Sequence, residues 1–150
     1  MIKKIGLILI IMMLFAGCAM ADENNAKDKS SYKVIFLKNY DDSDQSDDSI
    51  QIKTVTGTIT QGQTVWHTKY LGYYTTVLST HLNWGDTSDS LSLTIYSPDG
   101  DTFGPYYDSD DGSVNGRIDV TLKNTGGIPT GTWSYKIYGQ SVSGTQTYSV

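Results

Sequence analysis

Across residues 32–150 there is no stretch of useful length in which apolar side chains recur at three- and four-residue intervals, which excludes a helical core. Short runs of Val, Ile, Thr, Tyr and Trp instead alternate with polar residues and are punctuated by Gly, Asn, Asp and Ser, the pattern of successive strands. In SLSLTIY, Leu91, Leu93 and Ile95 share one face and Ser92, Thr94 and Tyr96 the other. RIDVTLKN aligns Ile118, Val120 and Leu122, and TWSYKIYG aligns Trp133, Tyr135 and Ile137. TVWHTKY sets Trp66, Thr68 and Tyr70 against Val65, His67 and Lys69, and the charge on the second face predicts that Trp66 and Tyr70 point inward. Segments 32–37, 50–60, 75–84 and the closing QTYSV bring the count to about eight strands with no intervening helix. The expected fold is all-β, an antiparallel β-sandwich of jelly-roll or immunoglobulin-like type. DTFGPYYDSDDGSVNG, residues 101–116, reads as one long acidic loop.

Aliphatic residues are sparse in this region, but three Trp and eleven Tyr supply large surfaces for burial. The expected core is Trp66, Trp84, Leu91, Leu93, Ile95, Ile118, Val120, Trp133, Tyr135 and Ile137. The chain carries 16 acidic against 11 basic residues, a net charge of −5. A nucleic-acid surface needs clustered cations, so nucleic acid is not an expected partner.

The first residues read differently. MIKK is a short cationic start and residues 5–15 are apolar, a signal-peptide pattern too short to span a ~30 Å hydrocarbon core permanently. Two cleavage readings compete: Ala19-Met20-Ala21 fits ordinary signal peptidase, and LFAGC resembles a bacterial lipobox in which Cys18 would carry a lipid. The expected division is a signal peptide over 1–21, a flexible tether over 22–30, a first strand and acidic linker over 31–49, and the sandwich over 50–150. Cys18 is the sole cysteine, so no disulfide holds the domain, and the expected location is the cell surface, by lipid anchor or by secretion.

Three passages carry a family resemblance: VTGTITQGQTVWHTKYL, with its Gly-Gln turn between strands; LNWGDTSDSLSLTIYSPDGD, a strand ending in Trp followed by an acidic loop and an alternating strand; and GTWSYKIYGQSVSGTQTYSV, the closing pair. Together they resemble the pre-peptidase C-terminal domain found beside secreted bacterial and archaeal proteases. Gln146 stands where that family usually has an apolar or aromatic residue. The resemblance implies a β-sandwich and a non-catalytic appendage that binds, secretes or stabilises; relatives attached to collagenases bind calcium.

Calcium requires several oxygen ligands close together. Aspartates cluster in the linker (Asp41, Asp42, Asp44, Asp47, Asp48) and around the long loop, where Asp99, Asp101, Asp108, Asp110 and Asp111 form the preferred metal site. Neither group has EF-hand spacing, and a solvated acidic loop is the competing reading. Tyr73-Tyr74 and Tyr106-Tyr107 sit beside Gly or Pro, where one ring of each pair should be exposed to stack on sugars or anchor a protein, though tyrosine is also a core filler here. His67 and His81 have no zinc-ligand spacing around them, no G-x-S-x-G elbow is present, and Arg117, the sole arginine, is expected to pair with an aspartate. The expectation is therefore no enzyme but a binding or interaction module for an envelope polysaccharide or secreted protein, membrane-attached through Cys18. The alternatives are a calcium-stabilised structural envelope protein and, last, a hydrolase.

Overall fold

The computed structural model describes residues 31–37 and 54–150. The signal segment with Cys18, the tether and the acidic linker lie outside them. Nine strands appear among the described residues: β1 Tyr32–Phe36, β2 Thr56–Thr60, β3 Thr64–Leu71, β4 Val77–Asn83, β5 Ser90–Tyr96, β6 Thr102–Tyr107, β7 Arg117–Asn124, β8 Gly131–Ser141 and β9 Thr145–Ser149. They form a five-stranded sheet in the order β1-β7-β4-β9-β2 and a four-stranded sheet in the order β3-β8-β5-β6. Every strand pair is antiparallel. The chain is an all-β sandwich, as its alternation predicts.

The inner faces follow from that alternation. Leu91, Leu93 and Ile95 of β5, Trp133, Tyr135 and Ile137 of β8 and Ile118, Val120 and Leu122 of β7 are all buried. Leu78 and Leu82 of β4 join them, and so does Trp84, whose indole N–H donates to the Asp89 carbonyl at 3.1 Å. Such interdigitated apolar faces are what holds two sheets together without a covalent link. Strand β1 pairs with β7 along its whole length, and Phe36 packs edge-on against Tyr106 with ring centroids 5.3 Å apart.

Two expectations are corrected. Trp66 and Tyr70 point outward, with 54% and 71% of their surface in solvent, while Val65, His67, Lys69 and Leu71 take the inner side of β3. β3 is the edge of its sheet, and a long lysine stem on the inner side of an edge strand reaches the sandwich rim with its charge. Lys69 therefore did not need the outer face. The second correction concerns residues 101–116, which contain β6 as well as a loop. Gly104 and Pro105 interrupt the alternation there, and Pro is tolerated because β6 is an edge strand, where one row of backbone groups is unpaired.

At the crossing of β8 with the β2–β3 turn the backbones nearly touch. The Gly139 amide donates to the Gln63 carbonyl at 3.0 Å and its carbonyl accepts from Gly62 at 2.9 Å. A Cβ on Gly139 would lie 2.4 Å from the Thr60 carbonyl oxygen, so only glycine fits without displacing main chain. Gln61 reinforces the join, accepting from the Val142 amide at 2.7 Å and donating to the Gln140 carbonyl at 3.0 Å.

Candidate functional site

Turning β3 outward places its aromatic residues on the solvent side of the four-stranded sheet. Cross-strand register aligns the outward side chains in rows, because directly paired residues share a face. Trp66 lies opposite Lys136 on β8, which lies opposite Thr94 on β5. One row along, Thr68 faces Ser134, and Ser134 faces Tyr96. On the other side, Thr64 faces Tyr138, Tyr138 faces Ser92, and Ser92 faces Tyr107. Tyr70 faces Thr132 at the end of β3.

Ser134 is small, so Trp66 and Tyr96 meet across β8, their ring centroids 5.4 Å apart and tilted 38°. Ser92 and Thr94 sit low between the large side chains and are buried although they belong to the outer face. The outcome is a firm surface of rings with hydroxyls between them. Backbone hydrogen bonds on both sides of β8 and β5 hold it, a better platform than a loop.

The predicted tyrosines are distributed otherwise. Tyr73 and Tyr74 are both exposed in the connector after β3, and the Tyr74 ring lies against Gly127. Tyr106 is turned into the core and is excluded as a surface contact; Tyr107 is the exposed member of that pair. Sequence reasoning missed Trp66, Tyr70 and Tyr138 as surface residues. The available signal was one residue further on: Leu71 completes an apolar series with Val65 on the face opposite Trp66.

The acidic loop is folded onto its own backbone. Residues Asp108–Asp111 form a 3-10 turn. Asp108, buried, accepts from the amides of Asn115 at 3.0 Å, Gly116 at 2.9 Å and Arg117 at 3.3 Å. Asp110 accepts from Tyr107 and Asp111 from Ser113. Asp99 is exposed and Asp101 half-buried in the β5–β6 turn, where the Asp101 amide donates to the Ser97 hydroxyl. Among the described residues, no three His, Cys, Asp or Glu side chains form a group that could hold a metal ion.

Both histidines are engaged. On the outer side of the five-stranded sheet, Asp119 is buried between His81, whose Nδ1 is 2.8 Å from Oδ1, and Arg117, whose Nη2 is 3.0 Å from Oδ2. The expected partner of Arg117 is thus an aspartate. Ser79, two residues from His81, shares a 3.0 Å hydrogen bond with the Thr121 hydroxyl. Between the sheets, His67 Nε2 and the Tyr148 hydroxyl share a 2.8 Å hydrogen bond, and Gly57 leaves the space that the Tyr148 ring fills.

Burial holds the His67 imidazole below its ordinary value of 6.5. The unfolded chain therefore binds a proton here more readily than the folded one. This group's contribution to stability is fully present above the unfolded value and is lost as pH falls below it and through the folded value. We expect the urea midpoint of the wild type to fall more steeply with decreasing pH, over the interval just below 6.5, than that of His67→Gln. Parallel pH profiles for the two proteins would assign the dependence elsewhere.

No family model matches the chain. Over 51 residues, 34% of its length, it is 47% identical to an uncharacterized protein of Archaeoglobus fulgidus, and the match covers 71% of that relative. At that identity and coverage the two are homologous, and this chain belongs to the same protein family as the archaeal protein.

Proposed function

We propose that this protein is an exported, lipid-anchored and non-catalytic binding module that engages its partner at the cell surface through the outer face of the four-stranded sheet. The observation that carries this reading is the exposure of Trp66 and Tyr70 on the same face of one regular strand, with Thr68 between them. Both could have been polar at no cost to the core, since β3 packs inward through Val65 and Leu71. Aromatic rings held rigidly in solvent are the usual anchors of recognition surfaces, because they offer large contact area and lose little conformational freedom on binding. The histidines have internal partners in Tyr148 and Asp119, which suits structural roles for both.

Two measurements test the proposal. Intact mass of the native protein should show a lipid on Cys18; a chain beginning at Asp22 would replace anchoring with secretion. Purified protein should co-sediment with envelope fragments of the organism that makes it, and the double substitution Trp66→Ala, Tyr70→Ala should weaken this by about tenfold or more. Undiminished binding by the double variant would remove the aromatic face from the function.

A further inference from the structure

The chemistry of this face is selective. Along β3, β5 and β8 the outward positions between Thr64 and Tyr70, Ser92 and Tyr96, and Thr132 and Tyr138 hold aromatic rings, hydroxyls and one lysine, with no aliphatic side chain and no carboxylate. Protein interfaces bury a core enriched in aromatic residues together with Met and Arg, and this surface lacks both of the latter. Flat rings interspersed with groups that both donate and accept hydrogen bonds suit sugar rings, which present C–H faces to an aromatic plane and hydroxyls at their rims.

Lys136 adds a sign. It is half-buried in the row between Trp66 and Thr94, near the middle of the face, and it forms no ion pair among the described residues. In a chain of net charge −5, the aspartates that flank β5 and β6, Asp89, Asp99, Asp101 and Asp108, lie beyond the strand ends and not at the outward positions of the ringed surface. An ammonium without an ion-pair partner among the described residues, set among aromatic rings, favours a ligand that brings its own anion. A single cation does not make the continuous basic track of a single-stranded nucleic-acid groove.

We propose that the face binds an acidic polysaccharide, with sugar rings seated on Trp66 and Tyr96 and a sugar carboxylate paired with Lys136. This rests on the reading of the aromatic face as the binding surface and specifies its ligand class. The probe is polygalacturonate, compared by affinity electrophoresis and calorimetry with its methyl-esterified form, which keeps the sugar backbone and removes the charge.

Wild-type protein should bind polygalacturonate about tenfold more tightly than the esterified polymer. Trp66→Ala should lose both polymers, and Lys136→Gln should bind the acidic polymer about as weakly as the wild type binds the ester, with the ester unaffected. Equal affinity of Lys136→Gln and wild type for polygalacturonate would overturn the pairing. So would tight binding of a single-stranded oligonucleotide, or concentration-dependent self-association that disappears in Trp66→Ala. If Trp66→Ala does not fold, Lys136→Glu decides, since charge reversal should abolish binding of the acid form and spare the ester. Trp66-dependent envelope binding without polygalacturonate binding leaves the module in place and overturns the acidic glycan. Loss of Trp66 dependence in the envelope assay overturns the face itself.

Discussion

Replacing Asp108 with alanine is expected to destabilise the fold by about 3 kcal/mol, although the residue contributes nothing to the apolar core. Its carboxylate takes three backbone amides at the entry to β7: Asn115 and Arg117 on Oδ1 and Gly116 on Oδ2. Hydrogen bonds to an ionised acceptor contribute roughly 1.5–3 kcal/mol each before non-additivity, and a buried donor left without a partner adds its own desolvation cost. Gly116 is buried, and its carbonyl accepts from both Trp84 and Gly85, so the turn that Asp108 holds is also the one that closes the end of β4. Asparagine would be a poor substitute at this position, because its amide nitrogen cannot accept where one of the two carboxylate oxygens does now. We expect Asp108→Asn to cost about 2 kcal/mol and Asp110→Ala, which removes a single bond from the exposed Tyr107 amide, less than about 1 kcal/mol. Urea midpoints at constant m-value measure this order, and equal losses for Asp108→Ala and Asp110→Ala would show that the three-amide arrangement has no special weight.

How much of this could be read beforehand depends on where each signal lives. β5 was legible because period-two alternation of Leu91, Leu93 and Ile95 has one interpretation in a strand that is central to its sheet. β3 was not, because at an edge both faces have access to solvent and a lysine no longer identifies the outside. β6 was hidden by Gly104 and Pro105, which are turn formers in most contexts and edge-strand residues in this one. The acidic loop was legible as a loop and as acidic, but the direction in which a carboxylate turns depends on backbone donors brought close by folding. Asp108 meets amides seven to nine residues later, a distance no local rule anticipates. Gln146, a polar residue in the closing strand, is engaged the same way: its side-chain amide donates to the Trp84 carbonyl, 62 positions away, at 3.0 Å. The candidate binding face was half visible, since Tyr96 alternates with the core residues of β5 and could be placed outward. Trp66 joined it only once the inner side of β3 was known.

The largest loss is expected at Trp133. This side chain is fully buried on β8, which is flanked by β3 on one side and β5 on the other. Its ring stacks on Phe103 with centroids 6.3 Å apart, and its indole N–H donates to the Pro129 carbonyl at 3.0 Å. Trp133 thus bridges the middle of its sheet to the connector that feeds β8. Truncation to alanine removes the largest fully buried side chain and leaves a void that strands paired on both sides cannot collapse to fill. Substitutions of this kind cost about 3–5 kcal/mol, a large part of the ~5–15 kcal/mol that stabilises a domain. With no cysteine among the described residues, no disulfide offsets the loss. We expect Trp133→Ala to lower Tm by roughly 15 °C and to weaken cooperativity. Trp133→Phe keeps a ring against Phe103 but leaves the Pro129 carbonyl without its donor, and should cost about 1–2 kcal/mol. The contrast with Trp66→Ala is the sharpest check on the assignment of the two faces. Both remove a tryptophan from the same sheet, yet the outward one should change Tm by only a few degrees while strongly weakening binding. A Trp66→Ala protein as unstable as Trp133→Ala would return Trp66 to the core and remove the surface on which the proposed function rests.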